Sequence, residues 1–181
     1  MSETKPLSLL HPASLLATFF CVGKMPFTPG TWGSLPAFPI AFLVFFNAGH
    51  AGYWILPILT LAIFIFGTYA THVYITKTGK HDPKEVVVDE VVGQLITIYA
   101  AAPIMGSMAN HGGIAGYSVL FACFVLFRLY DIIKPWPICW ADQSVPGAIG
   151  VMLDDVLAGI AAGATLHIGV YLLKTFAGVQ L

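Results

Sequence analysis

Charge is the scarcest thing in this 181-residue chain: Asp, Glu, Lys and Arg together make up 9% of it, against about 25% in soluble domains. That shortage excludes an ordinary water-soluble fold. There is no basic run and no interleaving of aromatic with basic residues, which excludes a nucleic-acid partner. No pattern calls for an obligate protein partner either. The three cysteines, Cys21, Cys123 and Cys139, have no paired spacing, so they read as packing residues rather than a disulfide or metal framework. Cys139 also lacks the downstream arginine of a thiol phosphatase loop. Residues 7–22 have a poor basic flank and no convincing small-residue cleavage site, so they are expected to stay with the chain.

What is present is apolar. Hydrophobic residues make up 57% and the mean hydropathy is +0.82. The runs are too long and too uniform for barrel strands. The reading is one membrane-embedded domain over residues 1–181, an all-α polytopic bundle of four to five spans with an N-terminal interfacial helix. Tyr53–Thr76, Val91–Pro103, Ile114–Ile133 and Asp154–Lys174 are the clear spans. Leu35–Phe46 is short for a crossing at 1.5 Å per residue, and it either crosses or dips in and returns.

The few charges are not scattered. Residues 128–155 hold four of the nine acidic residues. There Arg128, Asp131 and Lys134 are spaced to share one side of a helix, which Pro135 and Pro137 then end. Asp154-Asp155 are expected to open the last helix, and Gly159 and Gly163 give it a small face for a close neighbour. Upstream, Asp89-Glu90 run directly into an apolar helix. They serve either as carboxylates complementing its dipole or as metal ligands, since charge pressed against a span is costly. Residues 24–34, KMPFTPGTWGS, read as a turn in which Gly30 and Gly33 permit unusual backbone angles while Thr28, Thr31 and Ser34 offer hydroxyls. That turn either caps a helix or presents N–H groups to an anion.

If all five apolar runs cross, residues 24–34, 77–90 and 134–154 fall on one side of the membrane. Lys5, Lys24, Lys77, Lys80, Lys84, Arg128 and Lys134 then lie there and Lys174 alone lies opposite, so the polar side faces the cytoplasm.

At these residues the chain resembles the phosphatidylglycerophosphatase A family. The resemblance runs over roughly residues 11–175. It rests on Pro29-Gly30-Thr31-Trp32-Gly33-Ser34, on His81-Asp82 with Val88-Asp89-Glu90 and Gly93, on Phe127-Arg128 with Asp131 and Lys134-Pro135-Trp136-Pro137-Ile138, and on Gly150 with Asp154-Asp155 and Gly159. It implies a bacterial inner-membrane enzyme, a phosphatidylglycerophosphate substrate and a Mg2+ requirement. Hard Mg2+ takes oxygen ligands, which Asp89, Glu90, Asp131, Asp154 and Asp155 can supply. Arg128 and Lys134 suit phosphate oxygens, with Lys24, Thr31, Gly33 and Ser34 as further substrate contacts. The sequence lacks the familiar nucleophile motifs of phosphatases. Metal-activated water is then the expected attacker, with His81 as a proton carrier beside Asp89, Glu90 and Asp131. The competing class is a small transporter or ion-conducting protein that uses the same carboxylates. A lipid-headgroup phosphotransferase is a weaker alternative, because its spaced aspartate signature is absent.

Overall fold

The computed structural model describes residues 7–80, 83–107 and 113–177, the side chains of 113–115 and 177 excepted. Every regular element among them is helical. In chain order these are α1 (Pro12–Ala17), α2 (Pro29–Ser34), α3 (Ala37–Ala48), α4 (Gly52–Thr78), α5 (Val88–Ser107), α6 (Gly113–Ile133), α7 (Ile138–Ser144) and α8 (Gly147–Ala177), with two short 3-10 turns between them. Four stretches are long and apolar enough to cross a bilayer: Pro29–Thr78, Val88–Ser107, Gly116–Ile133 and Gly147–Phe176.

Helix α5 is the axis of the bundle. Its sequence is apolar on nearly every side, and a helix of that kind belongs in the interior. Val88, Val91, Val92, Leu95, Ile98 and Ala101 are all buried, and α2, α3, α4, α6 and α8 pack around them. The outer helices show the reverse pattern. Phe42 and Phe46 of α3, Phe66 of α4, Phe121 of α6 and Tyr171 of α8 are fully outward and exposed. A surface of large apolar side chains around a packed core is the pattern of a protein whose solvent is lipid.

Helices α5 and α8 meet backbone against backbone. A Cβ on Gly159 would run into the carbonyl of Gly93. One on Gly93 would meet the Phe127 ring and the carbonyl oxygen of Asp155. Thr97 bridges the same seam, its hydroxyl lying 3.0 Å from the Gly93 carbonyl and 3.3 Å from that of Gly159. The small face expected on α8 therefore docks on α5.

Several expectations are revised. The last helix does not begin at Asp154: it begins at Gly147, whose φ of +72° lets the chain turn in after Pro146. The aspartates therefore sit about two turns inside α8 and complement no helix end. The Gly/Thr turn is itself helical from Pro29, a residue preorganised for the first helical position. Residues 12–17 form only a short helix, whose Ala13, Ser14 and Ala17 are buried; the helix packs against α4. The segment at 35–46 does not dip and return. Gly30 lies against Glu90 and Arg128, while Phe45 packs on Tyr53 at the far end, with ring centroids 5.3 Å apart. The Tyr53 hydroxyl in turn reaches the Ala102 carbonyl at 3.4 Å. Helices α2 and α3 thus run the length of α5 between them.

Because the α5–α8 seam is backbone against backbone, it cannot yield by moving a side chain. Gly159→Ala is expected to destabilise the bundle by about 1–3 kcal/mol, the usual range for overpacking a filled core. Thermal unfolding in detergent reads this directly, with Gly169→Ala, where an added Cβ meets open space, as the control.

Candidate active site

The polar residues gather at one end of the bundle around a cavity of about 750 Å3. Two elements bring carboxylates to it by the same device. Asp89 precedes Gly93 by one helical turn on α5, and Asp155 precedes Gly159 by one turn on α8. The close approach at the glycines therefore sets the distance between the acids above them. Carboxylate oxygens of Asp89, Glu90 and Asp155 all lie within 4.8 Å of one another, and the two aspartates are buried.

The other predicted site residues fall around this trio. Arg128 Nη1 stands 2.6 Å from Asp131 Oδ2. The pair is close, but its N–H is not aligned as a hydrogen bond. Lys134 has left the helix, with φ at +47°. Its ammonium lies 2.6 Å from Asp142 and 2.7 Å from Asp154. Burial alone would push the Lys134 ammonium down, but hydrogen bonds to the two carboxylates outweigh it and raise its pKa well above the ordinary lysine value. Asp131 and Asp154 are thus tied to cations beside the trio, while all five predicted acids line one cavity with Arg128, Lys134 and Thr31.

Three predicted substrate contacts do not line it. Lys24 is exposed in a 3-10 turn. Gly33 is buried against Val87, and the buried Ser34 hydroxyl donates to the Gly30 carbonyl at 2.9 Å. His81 lies outside the described residues. Conversely, the cavity is lined by residues to which the sequence reading gave no site role, Lys84, Asp142 and Gln143, and by Thr28 and Gly30 of the Gly/Thr turn, which it did not count among the substrate contacts. Of these, Gly30 carries a signal in its motif, whereas Asp142 is separated from its partner Lys134 by two prolines and carries none.

The charge of the cavity decides what it can hold. Six carboxylates (Asp89, Glu90, Asp131, Asp142, Asp154 and Asp155) face three cations, Lys84, Arg128 and Lys134. Fully ionised, that is a formal −3. Beneath the opening, Glu90 Oε2, Arg128 Nε and both amide atoms of Gln94 are buried without a hydrogen-bond partner. Gln94 follows Glu90 by one turn, and helical side chains lean back toward the N-terminus, over the preceding turn. Buried polar atoms left unpaired cost about 1–3 kcal/mol each, so such a group calls for a polar ligand. All-oxygen donors in a cluster of net negative charge fit a hard divalent cation such as Mg2+. Unpaired guanidinium nitrogen beside them fits a phosphate.

Comparison with known proteins finds lipid phosphatases. The family model for phosphatidylglycerophosphatase A matches residues 15–170. A protein of Escherichia coli named phosphatidylglycerophosphatase A is 37% identical over 161 residues, covering 89% of this chain and 85% of the relative. Another of that name from Haemophilus influenzae is 36% identical over 165 residues, covering 90% and 93%. A Bacteroides thetaiotaomicron protein, named as a candidate phosphatidylinositol-3-phosphatase, is 35% identical over 147 residues, covering 81% and 86%. No solved structure matches the chain significantly.

Gly30 gives the most local test of the site. A Cβ there would meet the Glu90 carboxylate and the Arg128 guanidinium, the far ends of two flexible side chains. The fold can absorb that, but the site cannot. Gly30→Ala is expected to leave the detergent melting temperature nearly unchanged and to lower turnover by about 10²-fold, the effect of misplacing reacting groups by an ångström.

Proposed function

The chain belongs to the phosphatidylglycerophosphatase A family of phosphoric monoester hydrolases. From that premise we propose that it removes the terminal phosphate of phosphatidylglycerophosphate in a Mg2+-dependent reaction at the cytoplasmic face of a bacterial inner membrane, leaving phosphatidylglycerol and inorganic phosphate.

The observation that carries the reading is a cavity in which six carboxylates stand with a guanidinium and an ammonium in its wall. On its own that cavity repels a phosphate dianion. Asp89, Glu90 and Asp155 would hold the cation that reverses this, with Asp131 and Asp154 close enough to complete its surroundings. Bound there, Mg2+ would neutralise phosphate charge and lower the pKa of water, the two things a slow phosphomonoester hydrolysis most needs. The protein's own groups do the rest. Arg128 retains an unpaired N–H for a phosphate oxygen. Lys134 has three donors and uses two on carboxylates. Thr31 presents a hydroxyl from α2, and Gly30 lets α2 come close enough for it to do so. Gly33 and Ser34 act by packing α2 in place. The transport alternative finds less support, because directly beneath the carboxylates α5 and α8 touch at Gly93 and Gly159.

The membrane placement rests on several features together. The outer faces are apolar, and four stretches are long enough to cross. Trp136 and Trp140, exposed beside the cavity, suit the headgroup layer. Among the described residues, the lysines other than Lys174 lie toward the cavity end, which supports a cytoplasmic orientation by the positive-inside rule. Acyl chains would stay in the bilayer while the headgroup enters the cavity.

Two measurements test this. Purified protein in mixed micelles should release phosphate from phosphatidylglycerophosphate with Mg2+ and not with a chelator. Asp89→Asn and Asp155→Asn should lower turnover by at least about 10²-fold and weaken Mn2+ binding read by EPR, with folding retained. Near-wild-type values for both variants refute the metal assignment. In the second measurement, soluble glycerol phosphate should be a poor substrate, and lipids differing only in tail length should be hydrolysed alike. Phosphatidylinositol 3-phosphate is the informative competitor. A clear preference for it would move the chain toward the chemistry for which the Bacteroides relative is named.

A further inference from the structure

Asp142 belongs to none of the roles above, yet it makes one of the two short contacts to Lys134. Its Oδ1 lies 2.6 Å from the ammonium, and Asp154 Oδ2 lies 2.7 Å away. The two carboxylates come from different helices, Asp142 from α7 and Asp154 from α8. Helix α7 is firmly seated: Ile138 is buried with Phe127, Ala158 and Ala162, and Ala141, next to Asp142, is fully buried. The lysine is thus held from two rigid supports at once. Its backbone is held as well, in a left-handed conformation that costs a residue with a Cβ of order 1 kcal/mol. Strain of this kind persists where the surroundings over-determine a position.

A simple stabilising ion pair does not account for the arrangement. The side chains of Lys134 and Asp142 are 29% and 39% exposed, and pairs so placed contribute little to stability. The arrangement does define where one charge stands. With two N–H groups on carboxylates, the third has a fixed direction available to a ligand. Asp154 meanwhile lines the same cavity as the carboxylate trio, next in sequence to Asp155, and a cation bound by the trio would attract it away from Lys134.

We infer that Asp142 is a positioning residue for phosphate binding: it keeps the Lys134 ammonium at the cavity wall, and it keeps it there when Asp154 is drawn toward a bound cation. This rests on the phosphatase reading above and names a residue through which one of its phosphate contacts acts. Because Asp142 acts through Lys134, its loss should weaken binding of substrate and of inorganic phosphate but leave cation affinity alone.

The experiment compares Asp142→Asn, Asp142→Glu, Lys134→Gln and the Asp142→Asn/Lys134→Gln double variant with wild type in detergent micelles. It reads kcat and KM on phosphatidylglycerophosphate, inhibition by inorganic phosphate, Mn2+ binding by EPR, and the melting temperature. Asp142→Asn should raise KM and the phosphate inhibition constant about tenfold, the lower end for removing a supporting partner. It should change kcat less than about threefold and leave Mn2+ affinity and melting temperature as in wild type, with Asp142→Glu recovering part of the loss. The double variant should be no worse than Lys134→Gln alone, since a residue that acts only through another adds nothing once that one is gone. Additive losses, Mn2+ affinity lowered as far as in Asp89→Asn, or unchanged kinetic constants would each overturn the inference. Those outcomes leave the phosphatase reading standing, whereas a wild-type protein that releases no phosphate sinks both.

Discussion

Asp89, Glu90 and Asp155 bring carboxylate oxygens within 4.8 Å of one another inside a bundle built mostly of apolar side chains. At an effective dielectric of about 20, each ionised pair at that distance repels by about 3 kcal/mol. Leaving water adds several more for each charge. Nothing in the apolar packing returns that energy, and the nearby cations are shared with other carboxylates, Arg128 with Asp131 and Lys134 with Asp142 and Asp154. A bound cation or shared protons would relieve that cost, and in their absence the surrounding helices must hold the acids together. That requirement explains why the axis helix is so thoroughly buried and why its nearest neighbour meets it without side chains in between.

The Asp-to-Gly spacing makes the link mechanical. On both α5 and α8 an aspartate stands one turn above the glycine at which the helices touch. The contact that stabilises the bundle is therefore also the ruler that sets the separation of the acids. Thr97 reinforces it by reaching both glycine carbonyls. Phe127 fills the remaining corner against Gly93, and the next residue on α6 is Arg128, so the same packing brings the guanidinium to the acids. Fold stability and site geometry are here one set of contacts.

Much of this was legible in the residues. Long apolar runs gave α4, α5 and α6 nearly to their ends, because bilayer-length hydrophobicity is a strong and redundant signal. The gathering of the polar motifs at one end followed from counting passes, and the contacts of Gly30 at one end and Phe45 at the other bear it out. What the sequence hid was local. Gly147 starts α8 early because a positive φ after Pro146 turns the chain, and a glycine in a loop does not announce which angle it will take. Helix α7 is seven residues long, too short to display a period. The side on which Ser34 and Gly33 would lie depended on residues 29–34 being helical rather than a turn, and that rotates their side chains into the protein.

Lys134 shows most clearly why spacing alone misled. At three and six residues from Asp131 and Arg128 it belongs on their helical face, yet α6 stops at Ile133 because a proline follows at position 135 and disfavours the helical conformation for the residue before it. One residue past the helix, the lysine swings to a different pair of carboxylates. The consequence is a division of labour that a continuous helix could not give. Arg128 stays on α6, against Glu90 and the α2 glycine, while Lys134 reaches Asp142 of α7 and Asp154 of α8. A phosphate between them would meet a planar fork from one wall and a point charge from the other, with the carboxylate trio lining the same space. The proline pair that ends α6 thus sends the two cations to different carboxylate partners around one cavity.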